Sequence, residues 1–104
     1  MQRVTTPTHR FTLPMDTSEC AEIQLTYKQG DTKLVKHYQD GILPEGMTLD
    51  GATVIQTLTQ QETKAFKKGK AYAQIRVLTT AGKVYGSQEF RVKVTSSLNE
   101  DILA

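Results

Sequence analysis

The stretch Lys70-Ala-Tyr-Ala-Gln-Ile-Arg-Val-Leu-Thr79, followed by Thr80-Ala-Gly-Lys83 and the run from Val84 to Val94, decides the fold. It reads as two strands joined by a tight turn. In the first arm Ala71, Ala73, Ile75 and Val77 share one parity, while Tyr72, Gln74 and Arg76 take the other. In the second arm Phe90, Val92 and Val94 alternate with Glu89, Arg91 and Lys93. Side chains alternate across a strand, so a period of two means one buried face and one wet face. An antiparallel sheet solvated on one side has this pattern.

The same pattern extends outward in both directions. Upstream, Glu22 to Gln29 is a strand with Ile23, Leu25 and Tyr27 on one side and Gln24, Thr26 and Lys28 on the other. Tyr27 is expected in the core. Gly30-Asp31 is a glycine-first turn, and Thr32 to Tyr38 returns from it. The facing of that return strand stays open. Leu34, Lys36 and Tyr38 compete with Lys33, Val35 and His37, which suits an edge strand where charge discourages further pairing. Earlier still, His9 to Leu13 is a short strand stopped by Pro14, because proline cannot donate to a ladder. Asp16 is placed to cap a single helical turn. Between these and the central hairpin, Met47 to Leu49 and Ala52 to Leu58 read as strands around the turn Asp50-Gly51. Thr59 and Glu62 have capping-box spacing and predict a short helix ended by Lys68-Gly69. After the hairpin, Ser96 or Ser97 is placed to cap a last helical turn.

About seven short antiparallel strands and one short helical turn in 104 residues predict an all-β fold, an immunoglobulin-like β-sandwich. A small barrel is the alternative. Residues 1–95 make the sandwich domain, and residues 96–104 make a C-terminal tail. That tail either packs on its own domain or serves as a docking arm.

Thirteen basic residues against eleven acidic ones give a formal net charge of +2. That balance is too even to imply a polyanion, so no nucleic-acid partner is expected. Lys64, Lys67, Lys68 and Lys70 read as a solvated turn. Cys20 is the single cysteine, which excludes an intrachain disulfide and a cysteine-based metal site. A reducing compartment fits it best. No apolar h-region opens the chain and no apolar run approaches ~20 residues, so neither a signal peptide nor a membrane partner is expected.

Few residues suggest chemistry. Cys20, His9 and His37 are the only candidates for nucleophilic catalysis. Cys20 lies beside Glu19 and near Glu22, and acidic neighbours raise a thiol's pKa. The two histidines with Asp16 or Asp40 have no spacing that demands a metal, and both are expected as exposed strand histidines. Glu19 with Glu22, and Glu100 with Asp101, are local neighbours rather than a carboxylate pair across a cleft. No catalytic, cofactor-binding or metal-binding residue is therefore assigned. The candidate contacts are Tyr72 and Tyr85, which could stack on sugars or fill a protein interface, and Leu98, Ile102 and Leu103 of the tail. Tyr85 opposes Phe90 in parity unless a bulge intervenes at Gly86.

Two stretches carry a family resemblance. One is Leu58-Thr-Gln-Gln-Glu-Thr-Lys-Ala-Phe-Lys-Lys-Gly69 followed by Ala73-Gln-Ile-Arg-Val-Leu-Thr-Thr-Ala-Gly82. The other is Thr5-Thr-Pro-Thr-His-Arg-Phe-Thr-Leu-Pro14 followed by Asp16-Thr17. Together they resemble small proteins of the tail-module region of phages and prophages of Gram-positive bacteria. The pattern L-T-x-x-E-T-x-x-F-x-x-G is similar to the immunoglobulin-like N-terminal domain of phage upper-baseplate proteins. The resemblance implies a non-enzymatic structural or adaptor protein of the virion tail or baseplate, assembled in the bacterial cytoplasm. Its implied partners are other virion proteins or a second copy of itself. The rival reading is a small carbohydrate- or protein-binding module.

Overall fold

A computed structural model describes all 104 residues and shows two antiparallel sheets packed face to face. The smaller sheet contains β1 (Thr8–Thr12), β4 (Met47–Asp50) and β5 (Thr53–Thr57) in the order β1-β5-β4. The larger contains β2 (Cys20–Gln29), β3 (Thr32–Gln39), β6 (Gly69–Thr79), β7 (Val84–Gly86) and β8 (Phe90–Val94). Its order is β3-β2-β6, and both β7 and β8 pair with the far side of β6. One short helix, α1 (Gln60–Lys64), carries the chain from β5 to β6.

Taking β7 and β8 as one interrupted strand leaves seven strands in the immunoglobulin order. The B, E and D strands face C′, C, F and G, and the first strand is missing. In its place Gln2 makes a single parallel bridge to Thr95, just past β8.

The inner faces hold the core expected from the alternation. Ile23, Leu25 and Tyr27 of β2 are fully buried, as are Ala71, Ala73, Ile75 and Val77 of β6 within a few per cent. Leu58 and Phe66, which flank α1, complete the centre. Each large apolar side chain buried this way contributes roughly 1.5–3 kcal/mol. The capping box of α1 is formed: the Glu62 amide donates to Thr59 Oγ1 at 3.1 Å, and the Thr59 amide donates to Glu62 Oε1 at 2.9 Å. Asp16 caps a 3-10 turn, Thr17–Glu19, in the same manner.

The structure corrects several expectations. The second arm of the hairpin is not one strand. Register runs Val77↔Tyr85 and Arg76↔Gly86, then resumes as Ala73↔Phe90, so three residues of one arm face two of the other. This is a bulge at Ser87–Glu89, and Ser87 fills it by taking the Ile75 amide on its hydroxyl at 2.9 Å. The bulge flips the parity, so Tyr85 and Phe90 both point to the inner face. Phe90 is not core, however. It is 43% exposed at the open side of the sandwich, with the Phe11 ring as its aromatic neighbour. In β3 it is Leu34, Lys36 and Tyr38 that point inward, because they pair with Tyr27, Leu25 and Ile23. The helix ends at Lys64 rather than at Lys68-Gly69, since Phe66 must turn into the core. His9 is half-buried rather than exposed, and residues 96–104 form no helical turn.

Candidate interaction surfaces

The two candidate tyrosines lie on opposite faces of the larger sheet. Tyr72 pairs with Lys28 and Arg91 on the outer face and is 39% exposed. Tyr85 sits on the inner face at the open side, where the sheets part. There Leu13, Pro14, Ile75, Val77 and Tyr85 line a cleft of about 130 Å³. A single flat platform that uses both rings does not exist in this arrangement.

The tail is fixed by its backbone and polar groups while its apolar side chains face out. Arg3 organises the attachment. Its guanidinium donates to the Phe66 carbonyl at 2.6 Å and the Lys64 carbonyl at 2.9 Å, and it pairs with Glu100. The same residue thus satisfies carbonyls left open at the C-terminal end of α1. Ser97 Oγ donates to the Arg3 carbonyl at 2.7 Å. Further along, the Gln60 side-chain amide imitates a strand partner. It donates to the Leu103 carbonyl at 2.7 Å and accepts from the Leu103 amide at 2.9 Å. Between these anchors Leu98 is fully exposed, Leu103 is 77% exposed and Ile102 is 41% exposed.

The residues with catalytic potential are placed apart. Cys20 is buried at the start of β2. Its thiol is held above the ordinary value by burial and by the charges of Glu19 and Asp16. His9 Nδ1 lies 2.7 Å from the Tyr27 hydroxyl, on the inner face of the sandwich. Burial, then the positive N-terminus, keeps the His9 imidazole below its ordinary value. Tyr27 is pushed upward by burial and by the Glu62 carboxylate. His37 lies on the outer face of β3, 2.8 Å from Glu22 Oε1. Histidine, cysteine and carboxylate side chains do not converge in threes anywhere in the fold. No helix is long and apolar enough to cross a membrane.

One feature is invisible along the chain. Register aligns Lys33, Lys28, Tyr72 and Arg91 in a single row across β3, β2, β6 and β8. The neighbouring row pairs Lys70 with Lys93. All six side chains are exposed, and none of the five cations makes an ion pair. The residues come from four strands, so linear spacing could not reveal the cluster. Only the cross-strand register could have done so.

No protein-family model matches the chain, and no curated protein matches it.

Proposed function

We propose that the protein is a non-enzymatic structural or adaptor part of a phage or prophage tail, and that its C-terminal segment is the arm that meets the neighbouring subunit. The observation that carries this reading is the anchored tail. Arg3 and Gln60 hold its backbone in place while Leu98 and Leu103 are left in water. A tail stabilised by its own apolar side chains would turn them inward. A segment pre-positioned by polar contacts, with apolar groups facing out, needs less ordering when a partner covers it. The resemblance of the Leu58–Gly69 stretch to phage baseplate domains supports the same role. The partner is another virion protein or a second copy of the chain.

The test is the solution mass by light scattering of three forms: the full chain, a chain ending at Thr95, and Leu98→Ser with Leu103→Ser. A defined oligomer that falls to monomer in both altered forms supports an arm that joins copies. An oligomer of unchanged mass in all three removes the arm from the assembly. A monomer throughout removes self-assembly and leaves only a heterologous partner.

A further inference from the structure

We propose that the outer face of the larger sheet, centred on Tyr72, binds single-stranded nucleic acid. Thirteen basic and eleven acidic residues look balanced over the whole chain. The fold concentrates the charge locally. Lys33, Lys28 and Arg91 lie in the row of Tyr72, and Lys70 and Lys93 lie in the next. Lys67 and Lys68 follow at the same end of the sheet, where they border a hollow shared with the β2–β3 turn. Across this end Glu89 and Asp31 are the acidic side chains. Seven cations therefore stand against two carboxylates.

Unpaired cations on one face repel one another and lower stability unless an anion covers them. Here they flank an exposed aromatic ring. Strands lie about 4.8 Å apart, so the four-strand row spans roughly 14 Å. A phosphate backbone laid along it would meet a cation on each side of Tyr72, and a base would stack on the ring. Cationic tracks combined with aromatic stacking are how sequence-tolerant single-strand binders work. Beside Tyr72, Gln24, Thr26 and Gln74 line a shallow concavity of about 250 Å³ and offer hydrogen bonds to base edges. The surroundings favour nucleic acid over an acidic protein segment. Protein interfaces centre on well-packed apolar anchors. Around Tyr72 the one exposed aliphatic side chain is Val35, on the edge strand.

The experiment is fluorescence anisotropy of the full chain with labelled oligo-dT and oligo-U. The expected result is binding that weakens about 50-fold from 50 to 200 mM salt, the response for neutralising about four phosphates. Tyr72→Ala should weaken binding by roughly 5- to 100-fold, while Tyr72→Phe keeps it, since stacking needs the ring and not the hydroxyl. Lys28→Glu with Arg91→Glu should abolish binding. These sites are exposed, so circular dichroism should show the fold unchanged. Absence of binding at 50 mM salt overturns the proposal. Binding that ignores Tyr72 also overturns it, and binding that poly-glutamate displaces as well as an oligonucleotide does overturns it and points to an acidic protein segment instead.

Discussion

Lys36 points into the sandwich from the edge strand β3 and meets Glu62 of α1 at 2.5 Å. The two side chains are 8% and 18% exposed. An inward charge on an edge strand discourages another strand from pairing there. It is tolerable only because Glu62 is fixed by the Thr59 capping box. One carboxylate thus starts the helix and neutralises the edge. Glu62→Ala removes the cap and strands a buried ammonium, and its expected cost is about 3–5 kcal/mol. The double change Lys36→Met with Glu62→Gln leaves no unpaired charge and should cost less than Glu62→Ala alone. Urea denaturation of the three proteins decides it. If the double variant loses more than the single one, the pair is not coupled as described.

Acid should act on the same pair. Burial would raise the Glu62 carboxyl, but hydrogen bonding and charge from Lys36, with the Thr59 contacts, outweigh it and hold the group below 4.5. A carboxyl whose pKa is depressed in the fold binds protons more weakly there than in the unfolded chain. Its contribution to stability is therefore full above 4.5 and is lost as pH falls through the lowered native value. The expected outcome is a steeper loss of stability below pH 4.5 in the wild type than in the Lys36→Met, Glu62→Gln protein. Parallel curves from chemical denaturation at a series of pH values would refute the coupling.

Phe66 and Phe90 make a matched comparison. Both are phenylalanines near strand ends, but Phe66 is fully buried and Phe90 is 43% exposed. Phe66→Ala should cost about 3–5 kcal/mol, the usual cost for a core phenylalanine. Phe90→Ala loses only part of that burial and its ring contact with Phe11, centroids 5.4 Å apart, so about 1–2 kcal/mol is expected. Equal losses in denaturant titrations would show that the open side of the sandwich is closed in solution.

That comparison also marks where the sequence stops being legible. Ala71, Ala73, Ile75 and Val77 were readable because β6 is central, so its period of two is imposed by neighbours on both sides. The facing of Tyr85 was not readable, because a bulge flips parity and Ser87-Gln88-Glu89 looks like ordinary polar strand. Nor was the inward turn of Lys36, whose reason is a carboxylate 26 positions later. Alternation assigns faces from apolar residues and cannot foresee a buried charge with a distant partner. The cation row around Tyr72 was hidden for a related reason: each strand contributes only one or two of its members. The Arg3–Glu100 contact joins opposite ends of the chain and the Gln60–Leu103 contact spans 43 positions, and no local pattern encodes either.

Gly46 should be the least replaceable glycine. Its φ is +79°, and a Cβ there would lie 2.1 Å from the Thr57 carbonyl oxygen. That carbonyl belongs to β5 backbone, which also donates the Thr57 amide to the Gly46 carbonyl at 2.8 Å. Neither side can yield without breaking the pairing of β4 with β5. Gly46→Ala is therefore expected to cost more than 3 kcal/mol, by an order-of-magnitude sum of positive-φ strain and a backbone clash. Gly30 is the control. Its φ is +55° but nothing lies within 4 Å of an added Cβ, so Gly30→Ala should cost about 1 kcal/mol. Thermal melts of the two variants give the comparison, and similar midpoints would contradict the close approach at Gly46.

His9 and Tyr27 form a second polar pair inside the sandwich, 2.7 Å apart. Burial, with the N-terminal charge, lowers the His9 pKa from 6.5. A histidine depressed in the fold takes up protons more readily once unfolded. Its contribution to stability is full above 6.5 and is lost as pH falls through the lowered native value. Three outcomes are expected. In a nitrogen-15 NMR titration the His9 ring should change protonation below pH 6.5. In stability measurements, His9→Gln should show a weaker decline than the wild type between pH 6.5 and the native His9 value, because glutamine does not titrate. At neutral pH the same variant should be slightly less stable unless its amide reaches the Tyr27 hydroxyl, since a buried hydroxyl without a partner costs about 1–3 kcal/mol. A His9 ring that titrates above 6.5 would mean the side chain swings out to solvent, and the Tyr27 hydroxyl would then lose this partner.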